Sequence, residues 1–333
     1  MDLYAPSPGL VLGITGAAPA RQHFSKEYGA ARSRDSPDPD VIVDFRFAGL
    51  LPVGAPRDGH KTVHWSVQVG QPEERPVRAH ITITGRPRRF ALSMVQGYVV
   101  EPLVSFAAAG NGLVLLPAAA LAEGSSAVVI LGRSRSGKTS LVARCLAEGR
   151  GALGDDQVVV DAGGDVRAWP RRLRVYPDLR RTAPRAVAAL PWQQRASLRL
   201  LGLVAVGTRR AVAPSLPLHW SALGGQAVPG PVRISRILVV ERGGAGAEIA
   251  VMGLTLSDVL DLSAVILREQ RARLAHVTGW TWSQAVTAVE TLERRTLSTA
   301  LGGASAEQWS MPERWEAPEA VSALAERLEV GGS

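Results

Sequence analysis

The chain has 333 residues, of which 46% are hydrophobic and 20% charged, with 34 glycines, 22 prolines and a mean hydropathy of +0.06. That composition excludes collagen-like and wholly disordered chains, and the length exceeds what one core usually serves, so a large domain with a smaller one is expected. The net charge of +8 and pI of about 10.4 would suit an anionic partner, but the basic residues read as scattered and include only three lysines, Lys26, Lys61 and Lys138.

Residues 1–38 mix Pro, Ser, Gly and alternating charge without a sustained period, which predicts a loose N-terminal arm. Residues 39–112 follow as a small β-rich region. VIVDFRF, TVHWSVQV, RAHITITG and RFALSMV are short β-branched or aromatic runs separated by Gly/Pro-rich turns. From 113 to 270 strands and helices alternate, as in a layered α/β domain. Within it the stretch from Pro170 to Pro231 is rich in proline and arginine and predicts loops and short elements around a site. Residues 271–333 read as C-terminal helices, and Thr255 with Asp258 is spaced as a capping box for the helix that precedes them.

The strongest motif is GRSRSGKT, Gly132 to Thr139, which satisfies G-x-x-x-x-G-K-[ST]. By chance the pattern arises in roughly 1 in 100,000 starting positions, or a few per thousand over a chain of this length. Its context also fits. AVVIL before it suits a buried strand, and SLVARCLAEG after it places Leu141, Val142, Cys145 and Leu146 on one helical face with Gly149 past the end. Glycines let the backbone amides curl around a phosphate, and the helix that follows adds its positive N-terminal dipole. The nucleotide would be held by Gly132, Arg133, Ser134, Arg135, Ser136, Gly137, Lys138, Thr139 and Ser140, with Lys138 reaching the terminal phosphates and Thr139 on Mg²⁺. Sixteen or so residues after Lys138 stand Asp155 and Asp156, before an apolar strand. Adjacent carboxylates there could divide two tasks, one near the metal and one accepting a proton from an attacking hydroxyl.

The block LLPAAALAEGSSAVVILGRSRSGKTSLVARCLAEGRGALGDDQVVVDAGGDVRAWPRRL resembles the nucleotide-binding core of HPr kinase/phosphorylase-like proteins, whose fold is shared with phosphoenolpyruvate carboxykinase. The resemblance covers about residues 113 to 175. It implies an α/β P-loop kinase core, ATP and Mg²⁺ as cofactors, and catalytic and metal roles for the aspartate pair. On that basis Lys138, Asp155 and Asp156 are the expected catalytic residues and Thr139 with Asp156 the expected metal ligands. Three features depart from the family's pattern. Arg135 replaces a usual glycine, Pro117 stands where a histidine is frequent, and the downstream glycine-rich signature tied to HPr recognition is missing. Diverged relatives phosphorylate hydroxyls, some on peptides. The expected activity is therefore γ-phosphoryl transfer to a Ser or Thr of a peptide or protein, or to a small metabolite. The alternative is a nucleotide-binding regulatory or assembly ATPase without an external acceptor.

The remaining features are weaker. His23, His60, His64, His80, His219 and His276 show no metal-ligand spacing, so no zinc site is expected. Trp280, Trp282, Trp309 and Trp315 are expected to fill gaps between C-terminal helices. Arg171, Arg172 and Arg174 suit either a clamp for a phosphate or acidic acceptor, or an exposed basic strand edge. Asp178 reads as a surface turn residue and Cys145 as a buried small hydrophobe. One cysteine, no basic leader and no run of about 20 apolar residues predict a cytoplasmic protein without a membrane partner. No aromatic-interleaved basic run is present, so nucleic acid is not an expected partner either. Homo-oligomerisation stays open.

Overall fold

The computed structural model describes residues 1–333 apart from 36, 37, 73, 134, 135, 210–213, 226, 227, 229, 245, 279–281 and 331–333. It is a mixed α/β protein, about 42% helix and 31% strand. The chain divides into two compact units. One comprises residues 1–115, 159–162 and 260–299, the other 116–158, 163–259 and 300–333.

The first unit is built on a six-stranded sheet in the order Asp2–Ser7, Leu10–Gly16, Val41–Phe47, Val77–Gly85, Val63–Val69, Arg57–His60. The two pairings of Val41–Phe47 are parallel and the other three antiparallel. The period-2 pattern of the sequence appears as alternating burial along its strands. Val41, Val43 and Phe45 are buried, as are Val77, Ala79, Ile81 and Ile83, while the residues between them stay more open. Residues 1–38 are therefore no loose arm. Two of the six strands and the helix Ala18–Glu27 lie within them, and Phe24 of that helix packs on Phe45 with ring centroids 5.3 Å apart. The parallel partner of Leu10–Gly16 arrives only at Val41, and local composition carries no sign of so distant a pairing.

A helical run at Arg88–Gly110 is long and apolar enough to cross a membrane, but 72% of its apolar window is buried, which marks a core helix. Two long helices, Leu256–Thr278 and Ser283–Leu301, belong for most of their length to this unit. The first begins with the expected capping box. Thr255 N–H donates to Asp258 Oδ2 at 2.8 Å, and Asp258 N–H donates to Thr255 Oγ1 at 3.2 Å. Buried Arg271 bridges to buried Glu293 at 2.6 and 2.8 Å, and Arg294 to Asp261 at 2.7 Å, which ties the helices together. Burial raises the Glu293 pKa, and the Arg271 guanidinium opposes that rise.

The second unit centres on Val232–Gly244, a strand of 13 residues. Ser126–Leu131 runs parallel along one edge, followed outward by antiparallel Ala119–Glu123 and Ala152–Gly154. Along the other edge lie antiparallel Asp165–Ala168 and then parallel Ser305–Pro312. Helices Lys138–Ala147 and Ala317–Val330 share a core with these strands, in which Leu141, Cys145, Trp309, Met311 and Leu324 are buried. The expected division at residue 270 is thus corrected. Most of the preceding and following helices join the first unit, whereas residues 300–333 return to the second as a strand and a helix. Trp309 sits on that strand and not between helices, Trp315 packs partly buried against the same core, Trp282 meets Phe106 edge-on at 4.9 Å, and Trp280 lies outside the described residues.

The stretch from Pro170 to Pro231 holds short elements, as expected, but also one long one. It contains a helix of 16 residues, Trp192–Gly207, with short helices Leu179–Thr182 and Pro184–Ala189 before it. Only Leu198 of the long helix is fully buried. Its apolar residues follow no single buried stripe, which is why its period is hard to read.

Candidate active site

Every functional residue described below belongs to the second unit. The buried strand Ser126–Leu131 delivers the chain to Gly132, where a Cβ would lie 2.6 Å from the Val240 carbonyl oxygen and 2.9 Å from Ser136 Oγ. No larger residue fits that approach. At Gly137 the backbone takes φ +96°, which L side chains rarely adopt, and the helix Lys138–Ala147 starts on the next residue. Its first turn carries no acidic side chain, so the amide groups and dipole there are not neutralised from within. Ser134 and Arg135 lie outside the described residues; Arg133 is exposed and Ser136 buried.

Lys138 folds back over the loop. Its Nζ donates to the carbonyl of Gly132, to that of Arg133 at 3.1 Å, and to Ser136 Oγ at 3.4 Å. Burial lowers its pKa, while the charges of Asp156 and Asp155 pull it back up. These carbonyl contacts hold the ammonium at the mouth of the loop, where an anionic ligand could replace them.

Asp155 and Asp156 follow the short strand Ala152–Gly154 and differ sharply in environment. Asp155 is buried and accepts a hydrogen bond from Thr139 Oγ1 at 3.3 Å. Its pKa is pushed up to about 7, first by burial and then by the negative charge of Asp156; Arg171 and the Thr139 hydrogen bond act in the other direction. The Asp156 side chain is 60% exposed and pairs with Arg171 Nη1 at 3.1 Å. Arg171 is held in turn, because its carbonyl accepts from Trp220 Nε1 at 3.0 Å. The fold thus brings together the loop hydroxyl, both carboxylates and Arg171, one of the three arginines read as either a clamp or a basic strand edge. Arg172 and Arg174 are half-buried nearby in sequence, Arg174 on the strand Leu173–Val175. Ser140 Oγ accepts from Thr182 Oγ1 at 3.0 Å, a structural contact within the protein. Asp178 is an exposed residue at the start of the helix Leu179–Thr182, in keeping with a turn.

Tyr176 is an addition to the residues expected from sequence. Burial and the charge of Asp156 raise its phenol pKa, and Arg174 and Arg171 oppose that rise. Its signal in the sequence was position alone, two residues past Arg174 in RRLRVYP. Cys145, on the helix after the loop, is buried, and burial pushes its thiol up to about 11, so it is not a nucleophile at neutral pH. Among the described residues no group of three or more His, Cys, Asp or Glu side chains could hold a metal ion.

The buried carboxyl has a consequence for stability. Asp155 keeps its proton in the folded state at a pH where the unfolded chain has already released it, so between pH 4 and about 7 the native state binds more protons. Stability contributed by the neutral carboxyl is complete below the ordinary carboxylate range and is lost as pH rises through about 7. Thermal melts of the wild type are expected to fall across this window by on the order of a few kcal/mol. Asp155→Asn should flatten that dependence and melt above the wild type at pH 8; an unchanged slope would show that Asp155 is not the titrating group.

No protein-family model and no curated protein sequence matches this chain.

Proposed function

We propose that the chain is an ATP-dependent phosphotransferase with a P-loop kinase core of the HPr kinase / phosphoenolpyruvate carboxykinase type. The observation that carries this reading is the hydrogen bond between Thr139 and Asp155, which couples the start of the loop helix to a buried carboxyl whose pKa lies near neutrality. A base works best when its pKa is close to the working pH, and burial has moved Asp155 into that range. The loop amides, Lys138 and the helix N-terminus supply the positive field for the phosphates.

The residues present fit Mg²⁺. A threonine hydroxyl and adjacent carboxylates are hard oxygen donors, and Mg²⁺ in nucleotide sites takes only one or two protein carboxylates besides phosphate oxygens. Thr139 and Asp156 would hold it, and it would neutralise charge that develops on the phosphoryl oxygens. Asp155 would take the proton of the acceptor hydroxyl as that oxygen forms its bond to the γ-phosphorus. The bond from phosphorus to the β–γ bridging oxygen breaks, and ADP leaves with the electron pair. Arg171 fixes Asp156 and leaves Asp155 free for the proton, and with Arg172 and Arg174 it favours an acidic or polar acceptor. A peptide Ser or Thr is the favoured acceptor class, with a small polyol-like metabolite as the next.

The test is an acceptor screen with ATP labelled at the γ-phosphate, using peptides and metabolites made by neighbouring genes, followed by mass spectrometry of the product. Label is expected on an external hydroxyl and not in reactions with Asp155→Asn. Release of labelled phosphate at the same rate with and without any acceptor would replace the kinase with an assembly or regulatory ATPase.

A further inference from the structure

The net charge of the chain is not scattered. Residues 171–209 contain nine arginines and one acidic residue, Asp178, and the remaining residues carry 29 basic and 29 acidic side chains. The whole excess of +8 therefore arises from this single segment. It ends in the helix Trp192–Gly207, whose outer face mixes exposed apolar and basic side chains. Trp192 is 69% exposed, Leu200 62%, Leu203 70% and Val206 73%. With about 100° between successive residues, Trp192, Arg195, Arg199, Leu203 and Val206 fall within about 80° of one another, and Leu200 lies beside them. Arg180, Arg185, Arg195, Arg199 and Arg209 are exposed, and none has a carboxylate partner among the described residues. Isolated exposed leucines are ordinary, but exposed Trp192, Leu200, Leu203 and Val206 interleaved with unpaired arginines on one helix are not.

We infer that this helix docks the protein on an anionic lipid surface. Three observations select that occupant. A second copy on this face would gather two sets of Arg195 and Arg199 into one interface with no exposed carboxylate on the helix to offset them, and like charges at close quarters oppose association. A nucleic acid would satisfy the arginines but leaves Leu200, Leu203 and Val206 without a use, since phosphates and sugars offer them nothing to bury against. The helix also has Leu198 as its only fully buried residue and lines no groove among the described residues, so it suits a plane better than an amphipathic peptide that needs a groove. An interfacial helix has Trp and Leu sinking to the acyl boundary while arginines stay at the headgroups on their aliphatic stems, and this is the residue set presented here. The inference stands independently of phosphoryl transfer, because none of these residues is placed in the loop or the acidic pair.

The experiment is vesicle co-sedimentation of the full chain, with phosphatidylcholine vesicles alone and with equal parts of phosphatidylcholine and phosphatidylglycerol. The wild type should sediment with the mixed vesicles only, and raised salt should release it. Arg195→Gln with Arg199→Gln should weaken partitioning by about thirtyfold. Leu203→Ser with Val206→Ser should weaken it by about a hundredfold, while both pairs keep the wild-type melting temperature because the replaced side chains are exposed. Sedimentation with both kinds of vesicle alike, or with neither, overturns the inference. So does a soluble dimer that Leu203→Ser dissolves without any vesicle binding, or retention by polyglutamate alone, which would give the face to an acidic protein.

Discussion

Asp155→Asn is expected to lower turnover by about a hundredfold to ten-thousandfold while changing the ATP dissociation constant by less than about threefold. The two carboxamide atoms occupy the space of the carboxyl, and in its neutral form the side chain already sits buried beside Thr139, so nucleotide binding has little to lose. What disappears is the proton acceptor, whose contribution is realised only in the transition state and amounts to about 3–5 kcal/mol. The pH dependence carries the same signature. Burial sets the Asp155 pKa at about 7, so kcat/KM should rise as pH passes through about 7 and level off above it, where the base form prevails. Steady-state rates against pH, with an acceptor identified by the labelling screen, would check both points. Full activity of Asp155→Asn would move the base to Asp156 or remove the need for one.

Lys138→Ala is expected to weaken ATP binding by on the order of a hundredfold, the usual scale for removing one partner of a partly desolvated charge-assisted contact. In the free protein the ammonium is occupied by the carbonyls of Gly132 and Arg133 and by Ser136 Oγ, and burial already lowers its pKa. A triphosphate replaces partial negative charges with full ones, and the gain is large because the residue is poorly solvated. Titration calorimetry with Mg²⁺ and ATP measures the change directly. A thermal-shift assay gives an independent readout: ligand at about a hundred times its dissociation constant raises stability by about 2.7 kcal/mol in the wild type, and that rise should nearly vanish in the variant. Equal affinity in both proteins would mean that the loop is a tight turn and no phosphate site.

The candidate site was legible where its chemistry is contiguous. The spacing of Gly132, Gly137, Lys138 and Thr139 between an apolar strand and an amphipathic helix is a local pattern, and local sterics dictate it: one glycine for a close approach to Val240, one for a left-handed φ, then a helix N-terminus. The capping box at Thr255 and Asp258 is local in the same sense. Adjacent Asp155 and Asp156 could be seen as a pair for the same reason, but their letters are identical and nothing in the sequence distinguishes them.

Only the tertiary structure separated the two. Asp155 turns inward to Thr139 and Asp156 outward to Arg171, and burial then raises the first carboxyl toward neutrality. Desolvation depends on every element packed around a group, so it has no signature within a window of a few residues. The same holds for the opening 38 residues, which look loose until Val41–Phe47 supplies a parallel partner to Leu10–Gly16. It holds also for Ser305–Pro312, which returns to the sheet of the loop after two long helices that belong mainly to the other unit. Composition by itself determined that the chain folds, and local spacing that a glycine-framed turn leads from a buried strand into the helix at Lys138. What covers each apolar face, and what leaves the outer face of Trp192–Gly207 uncovered, was decided by contacts between residues far apart in the chain, because periodicity reveals that a face is apolar but not what lies against it.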